Sequence, residues 1–185
     1  MTMKKIMMMF TAILCCVMLF TSCSKSDDKG GGSPSVPDTT PVSVAFIYQL
    51  QVSQDMIDYL DVSLEYYDAS GNVKSEPVTK TNWQSSKITA KLPATVAARL
   101  NFKEKSGVDY SKVDKVLVAT GLTHAGSLVN KAGADVGVIS AQMSLSEVTV
   151  PGNKVESFIA ERGKGYKKFY YEYDASGTKK SGSWN

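Results

Sequence analysis

The chain has 185 residues, 43% of them hydrophobic and 21% charged, which is the balance of a globular protein. Its formal net charge is +3, from 21 Lys and Arg against 18 Asp and Glu. A single histidine, His124, excludes a metal site built from several imidazoles. Cysteines confined to positions 15, 16 and 23 exclude an internal disulfide in the rest of the chain.

Residues 1–22 read as a secretory signal. Lys4 and Lys5 precede an apolar run, Ile6 to Phe20, broken only by Thr11. As a helix that run rises about 22 Å, short of the roughly 30 Å hydrocarbon core of a bilayer, so it reads as a signal and not as an anchor. The string LFTSC, residues 19–23, resembles a bacterial lipoprotein signal. The resemblance implies cleavage before Cys23, a diacylglyceryl thioether on its sulfur and acylation of the new amino terminus, which would hold the protein to a membrane without a spanning helix. Loss of Lys4 and Lys5 with the signal leaves 19 basic residues against 18 acidic. The chain is then close to neutral, and its charge argues for no nucleic-acid partner. Residues 24–41, SKSDDKGGGSPSVPDTTP, hold one large apolar side chain, Val36, and are expected to form a flexible tether with a mean reach of roughly 20–25 Å. The acidic SKSDDK resembles the export signal of surface lipoproteins in Bacteroides-like bacteria.

From residue 42 the dominant period is two, the mark of half-buried strands. Val42, Val44, Phe46, Tyr48, Leu50 and Val52 form one such face. Leu60, Val62, Leu64 and Tyr66 form a second, Val96, Ala98, Leu100 and Phe102 a third, and Phe169, Tyr171 and Tyr173 a fourth. Shorter strands are expected at 86–92 and 113–119. Between Ala134 and Val150 the phase changes near Val138–Ile139, which predicts a bulge or a break. Ser53–Leu60 suits a single helical turn. Asn153 with Glu156 three residues on suits a capped helix ended by Gly163, and a hairpin through ERGKG fits that segment equally well. The pentapeptide YDASG occurs at Tyr67–Gly71 and again at Tyr173–Gly177, and reads as an Asp-initiated hairpin turn with glycine at the positive-φ position. In the second hairpin Glu172 is expected to face Lys179. Together these features predict an all-β fold: residues 42–185 as a single Ig-like β-sandwich of about seven or eight strands with one or two short helical turns.

Few residues of the chain fall into a pattern that carries chemistry. No nucleophile elbow, P-loop, dinucleotide fingerprint or metal-binding string is present, so neither a cofactor nor a metal is expected. His124, in the glycine-rich stretch GLTHAGS, is the one histidine that a catalytic Ser127 could use, and it reads as a loop or partly buried residue. Asp55, Asp58 and Asp61 are spaced by three, where calcium loops place acidic ligands two apart. Residues 162–185 carry Arg162, Lys164, Lys167, Lys168, Lys179 and Lys180 against Glu172 and Asp174. With Tyr166 and Tyr170 beside Lys168, this basic hairpin suits contact with anionic glycans or lipid head groups. Lysines on an edge strand also guard against aggregation. Trp83, after Thr81-Asn82 at a turn, and Tyr67, on the polar side of its strand, are the remaining aromatic candidates for stacking on sugars; a tryptophan in a sandwich also serves as core.

The stretch VSQDMIDYLDVSLEYYDASGNVKSEPVTKTNWQSSKITAKLPATVAARLNFKEKSG, residues 52–107, is similar to small β-sandwich lipoproteins of Bacteroides-like gut bacteria. That resemblance implies a fold and a compartment, the outer membrane with the domain facing outward or into the periplasm, and carries no catalytic residue. The expected function is non-enzymatic: a binding or adhesion module with glycan as the leading ligand class, using Trp83, Tyr67, Tyr170 and Lys168. The alternatives are an accessory subunit that docks on another envelope or host protein through a strand edge and, more distantly, a small hydrolase.

Overall fold

A computed structural model describes residues 37–141 and 143–184. The signal, Cys23 and residues 24–36 of the expected tether lie outside the described residues. The described residues from Asp38 onward form one compact unit. Asp38 already belongs to it, since its carbonyl accepts from Asn130 Nδ2 at 2.5 Å.

Eleven strands form two antiparallel sheets among the described residues. They exceed the expected number because several are only three or four residues long. The first sheet is built on β1 (Pro41–Val52) and β7 (Lys115–Asn130), paired from Pro41↔Asn130 to Val52↔Thr120. Two short strands, β4 (Asn82–Gln84) and β5 (Ile88–Lys91), share the free edge of β1. β8 (Asp135–Val138) and β9 (Ser144–Pro151) share the free edge of β7. The second sheet runs in the order β11 (Lys179–Ser181), β10 (Lys167–Tyr173), β6 (Ala94–Glu104), β2 (Leu60–Tyr67), β3 (Val73–Pro77).

The alternation read from the sequence is the alternation of burial. Leu60, Val62, Leu64 and Tyr66 of β2 are buried, as are Val96, Ala98, Leu100 and Phe102 of β6. Each large aliphatic side chain so buried contributes about 1.5–3 kcal/mol. From the first sheet Tyr48 crosses the core. Its ring lies 5.2 Å from Tyr66 and 6.1 Å from Phe169 of the second sheet. Val42 departs from the pattern; it is exposed at the start of β1.

β7 corrects the sequence reading most. The strand expected over 113–119 continues through GLTHAGS to Asn130. Glycine and threonine blur the period there, but the extended backbone is required because β1 lies against it throughout. At Gly126 a Cβ would sit 2.1 Å from the Ala45 carbonyl oxygen, so glycine permits the approach. The strand expected over 86–92 is confined to β5, and Trp83 lies in β4 instead of at a turn. The phase change near Val138 is a break between β8 and β9.

The expected turn after β1 and the segment left open between helix and hairpin are both helical. α1 (Gln54–Tyr59) is capped by Ser53, whose Oγ accepts from Met56 N and donates to the Leu117 carbonyl. Asp55 Oδ2 takes Leu117 N at 2.7 Å, which pins α1 to β7. α2 (Val155–Arg162) resolves the helix-or-hairpin alternative and ends at Gly163. Its cap is Lys154, not Asn153, because the chain enters through a 3-10 turn at Gly152–Lys154. Gly152 is buried there, with its N–H on the Asp114 carbonyl.

The two YDASG segments make the same turn. Asp68 Oδ1 accepts from Ser70 N and Asn72 N, and Asp174 Oδ1 from Ser176 N and Thr178 N. Gly71 and Gly177 both adopt φ of 78°. β2 and β10 flank β6 in the same direction, so both turns lie at the start of β6. The second turn sets Glu172 opposite Lys180, not Lys179, because Asp174 pairs with Thr178 and fixes the register.

Candidate functional site

The outer face of the five-stranded sheet is organised by β6. Its even-numbered residues enter the core, so Thr95, Ala97, Arg99, Asn101 and Lys103 point away from it. Tyr170 of β10 is the register partner of Ala97. On the other side β2 pairs with β6 up to Tyr66↔Ala98, which brings Tyr67 next to Ala97. Ala97 is small enough for the two tyrosine rings to meet over it, 5.8 Å apart and nearly perpendicular, and its methyl group is fully buried. Such pairs contribute about 0.5–1.5 kcal/mol beyond burial. Burial, together with a hydrogen bond shared with the Tyr170 hydroxyl, holds the Tyr67 phenol above its ordinary pKa.

A third ring completes the cluster. After β11 the chain turns onto the sheet at Gly182, where a Cβ would lie 2.4 Å from the Tyr170 ring. This delivers the Trp184 indole to 5.3 Å from Tyr67 and 6.0 Å from Tyr170, with Nε1 donating to the Phe169 carbonyl at 3.0 Å. The Arg99 guanidinium lies 4.5 Å from the indole centroid, and its Nε is 2.5 Å from Glu65 Oε2. Three half-buried rings, mutually tilted by 51° to 87°, thus form an aromatic platform beside an ion pair, with polar groups at its edge. Beneath it the Tyr48 hydroxyl bridges the two strands: it donates to the Tyr67 carbonyl at 3.1 Å and accepts from Ala97 N at 3.2 Å.

The structure places three of the four sequence-derived ligand candidates on this face. Tyr67 and Tyr170 are in the platform. Lys168, the register partner of Arg99, is exposed beside it and forms no ion pair among the described residues. Trp83 is on the other sheet, half-buried, with its ring 5.6 Å from Tyr66 and packed on the core. Sequence reasoning missed Arg99 and Trp184. Arg99 was legible as an outward residue of its strand, whereas nothing periodic marks Trp184. The basic hairpin does not gather into one patch: Lys179 lies over the Tyr171 ring at 3.9 Å, Lys180 faces Asp174 at 3.5 Å and Arg162 faces Glu161 at 3.2 Å.

The residues weighed for catalysis and metal binding are not assembled. His124 points into the core from the middle of β7, fully buried, 4.9 Å from the Phe169 ring and 5.5 Å from Tyr171. Burial, with a smaller push from Lys179, lowers its pKa to about 4. Ser127 is on the opposite face of the strand, where its hydroxyl donates to Asp135 at 2.6 Å. Asp55 holds Leu117, Asp58 accepts from Gln54, and Asp61 faces Lys103. Among the described residues no group of three or more acidic, histidine or cysteine side chains is placed to hold a metal ion. No helix among them is long and apolar enough to cross a membrane.

No family model, no curated protein and no solved structure matches the chain.

Proposed function

We propose that the protein is a lipid-anchored lipoprotein of the outer membrane that displays a β-sandwich binding module at the cell surface, with glycan as the ligand class. The observation that carries the reading is the platform of Tyr67, Tyr170 and Trp184 with Arg99 and Glu65 at its edge. Pyranose rings present apolar C–H faces and a rim of hydroxyls. An aromatic cluster bordered by charged hydrogen-bonding groups offers apolar ring surface to the first and hydrogen bonds to the second. The anchor rests on the lipoprotein-like signal ending at Cys23, and the outward orientation on the acidic segment that follows it. Strand addition to a partner protein through the second sheet is the lesser reading, because one of its edges, β3, carries Lys74 and Pro77, and the other, β11, carries Lys179 and Lys180, residues that discourage pairing.

Binding of the detergent-extracted protein to immobilised polysaccharides, repeated with Tyr170→Ala and Trp184→Ala, tests the module. Saturable binding that falls at least tenfold in both variants is the expected result, and equal binding in all three proteins would remove the platform from the argument. Orientation is tested by protease treatment of intact cells with a periplasmic protein as leakage control. Digestion of the domain while the control survives is expected; protection until the outer membrane is opened would place the module in the periplasm.

A further inference from the structure

We infer that the outer face of the five-stranded sheet is one continuous binding groove, and that its ligand is a linear glycan chain engaged along β6, not an isolated sugar unit. The inference rests on the glycan reading of the platform and specifies the ligand's form. Two cavities carry it, one toward each end of β6.

The first, of about 920 Å³, lies over the far end of β6. Its floor is the register pair Ser63↔Asn101 with the neighbouring pair Asp61↔Lys103, and Pro77 and Ile159 stand among its lining residues. The second, of about 700 Å³, lies past the start of β6 at the end of the sandwich, between the two YDASG turns and Thr89–Lys91 of β5, with Thr95, Glu172 and Asp174 also in its lining. The platform occupies the interval, with Ala97, Tyr67 and Tyr170 in one row and Arg99, Glu65 and Lys168 in the next. From Thr95 to Lys103 these rows follow one another at every second residue of a single strand. At about 3.3 Å per residue the series covers roughly 26 Å. A single sugar unit meets one or two rows, whereas a chain meets them all.

The chemistry of the ends suits hydroxyl-bearing units. Asn101 Oδ1 is engaged by Gly165 N at 2.7 Å, which leaves the Nδ2 donors available at the first cavity. Thr95 presents a hydroxyl at the second. An extended peptide would gain its main-chain hydrogen bonds at a strand edge, and this surface is a sheet face whose backbone is already paired across β10, β6 and β2.

The test is calorimetry on the full chain in detergent, with oligomers from dimer to octamer of cellulose-, xylan- and polygalacturonate-type chains and with the parent polysaccharides. The expected result is an affinity that rises at least tenfold between dimer and hexamer of a bound series. Asn101→Asp, which keeps the acceptor for Gly165 and removes the donors, and Thr95→Val, which keeps the shape, should each weaken the octamer about three- to tenfold. A dimer as tight as the octamer, or end variants without effect on the octamer, would overturn the groove while leaving the platform as a glycan site. Failure of every oligomer and every parent polysaccharide would overturn the glycan reading and the inference with it. Binding of an acidic or neutral extended peptide in place of all glycans would do the same.

Discussion

Two side chains in the core show how single groups set the behaviour of the layers above them. His124 is fully buried, and neither of its ring nitrogens has a hydrogen-bond partner among the described residues. Its pKa falls to about 4 from an ordinary 6.5. The folded state therefore holds it neutral while the unfolded chain takes up a proton as pH falls below about 6.5. The sign follows: the contribution is fully present above 6.5, declines as pH falls, and is lost by about pH 4, a span worth about 3 kcal/mol. Denaturant melts of the wild type should show that decline between pH 6.5 and 4. His124→Leu should flatten it and, by removing two unpaired buried nitrogens, leave stability at pH 7 equal or higher. A variant with the wild-type pH slope would remove His124 from the account. The Tyr48 hydroxyl, by contrast, is fully used. Tyr48→Phe strands the Tyr67 carbonyl and the Ala97 N–H, and should cost about 1–3 kcal/mol. It should also speed hydrogen exchange at the Ala97 amide. An unchanged melt with unchanged exchange at Ala97 would show that water replaces the bridge.

At the level of elements, the repeated turn offers an internal comparison. Gly71 and Gly177 share a pentapeptide, a hydrogen-bond pattern and a φ of 78°. Asp68 and Asp174 are both held below the ordinary carboxyl pKa. For Asp68 the main cause is the N–H of Asn72; for Asp174, held at about 2, it is the Ser176 hydroxyl with the Thr178 N–H. Their surroundings differ. A Cβ at Gly71 meets nothing within 4 Å, while one at Gly177 would lie 2.9 Å from Pro41 Cγ and 3.1 Å from Leu128. Gly71→Ala should cost only the left-handed backbone penalty, about 1–2 kcal/mol. Gly177→Ala should cost measurably more, because the turn must also retreat from the first sheet. Equal losses in paired thermal melts would show that Pro41 and Leu128 yield without resistance. The same comparison shows what a sequence conveys. The turn itself was readable from Asp and Gly at their spacing, but its packing against Pro41 was not, since nothing in YDASG distinguishes one copy from the other.

Across the whole molecule, strands with a clean period of two were legible to the residue: β2 and the core face of β6 have the burial that Leu60–Tyr66 and Val96–Phe102 imply. β7 was legible only in its first third, because Gly121, Thr123, His124 and Gly126 interrupt the apolar period that marks a strand. The platform was half legible. Tyr67 and Tyr170 stood out as aromatic residues on polar faces, yet their meeting depends on the small Ala97 between them, and on a register that only the folded sheet supplies. Trp184 was invisible because it reaches the sheet through a close approach at Gly182. The pairing of β1 with β7 has a further consequence, in time instead of space. β1 is the first strand of the fold, yet its partners are β4, β5 and β7, and Pro41 must wait for Asn130 before its ladder can close. Such long-range pairing places folding in the millisecond-to-second range. Stopped-flow refolding should show β1 protected late, together with β7 and not before it. A chain emerging amino terminus first would therefore carry an unpaired, apolar strand until most of the domain had followed, a need that a chaperone able to hold extended segments would meet.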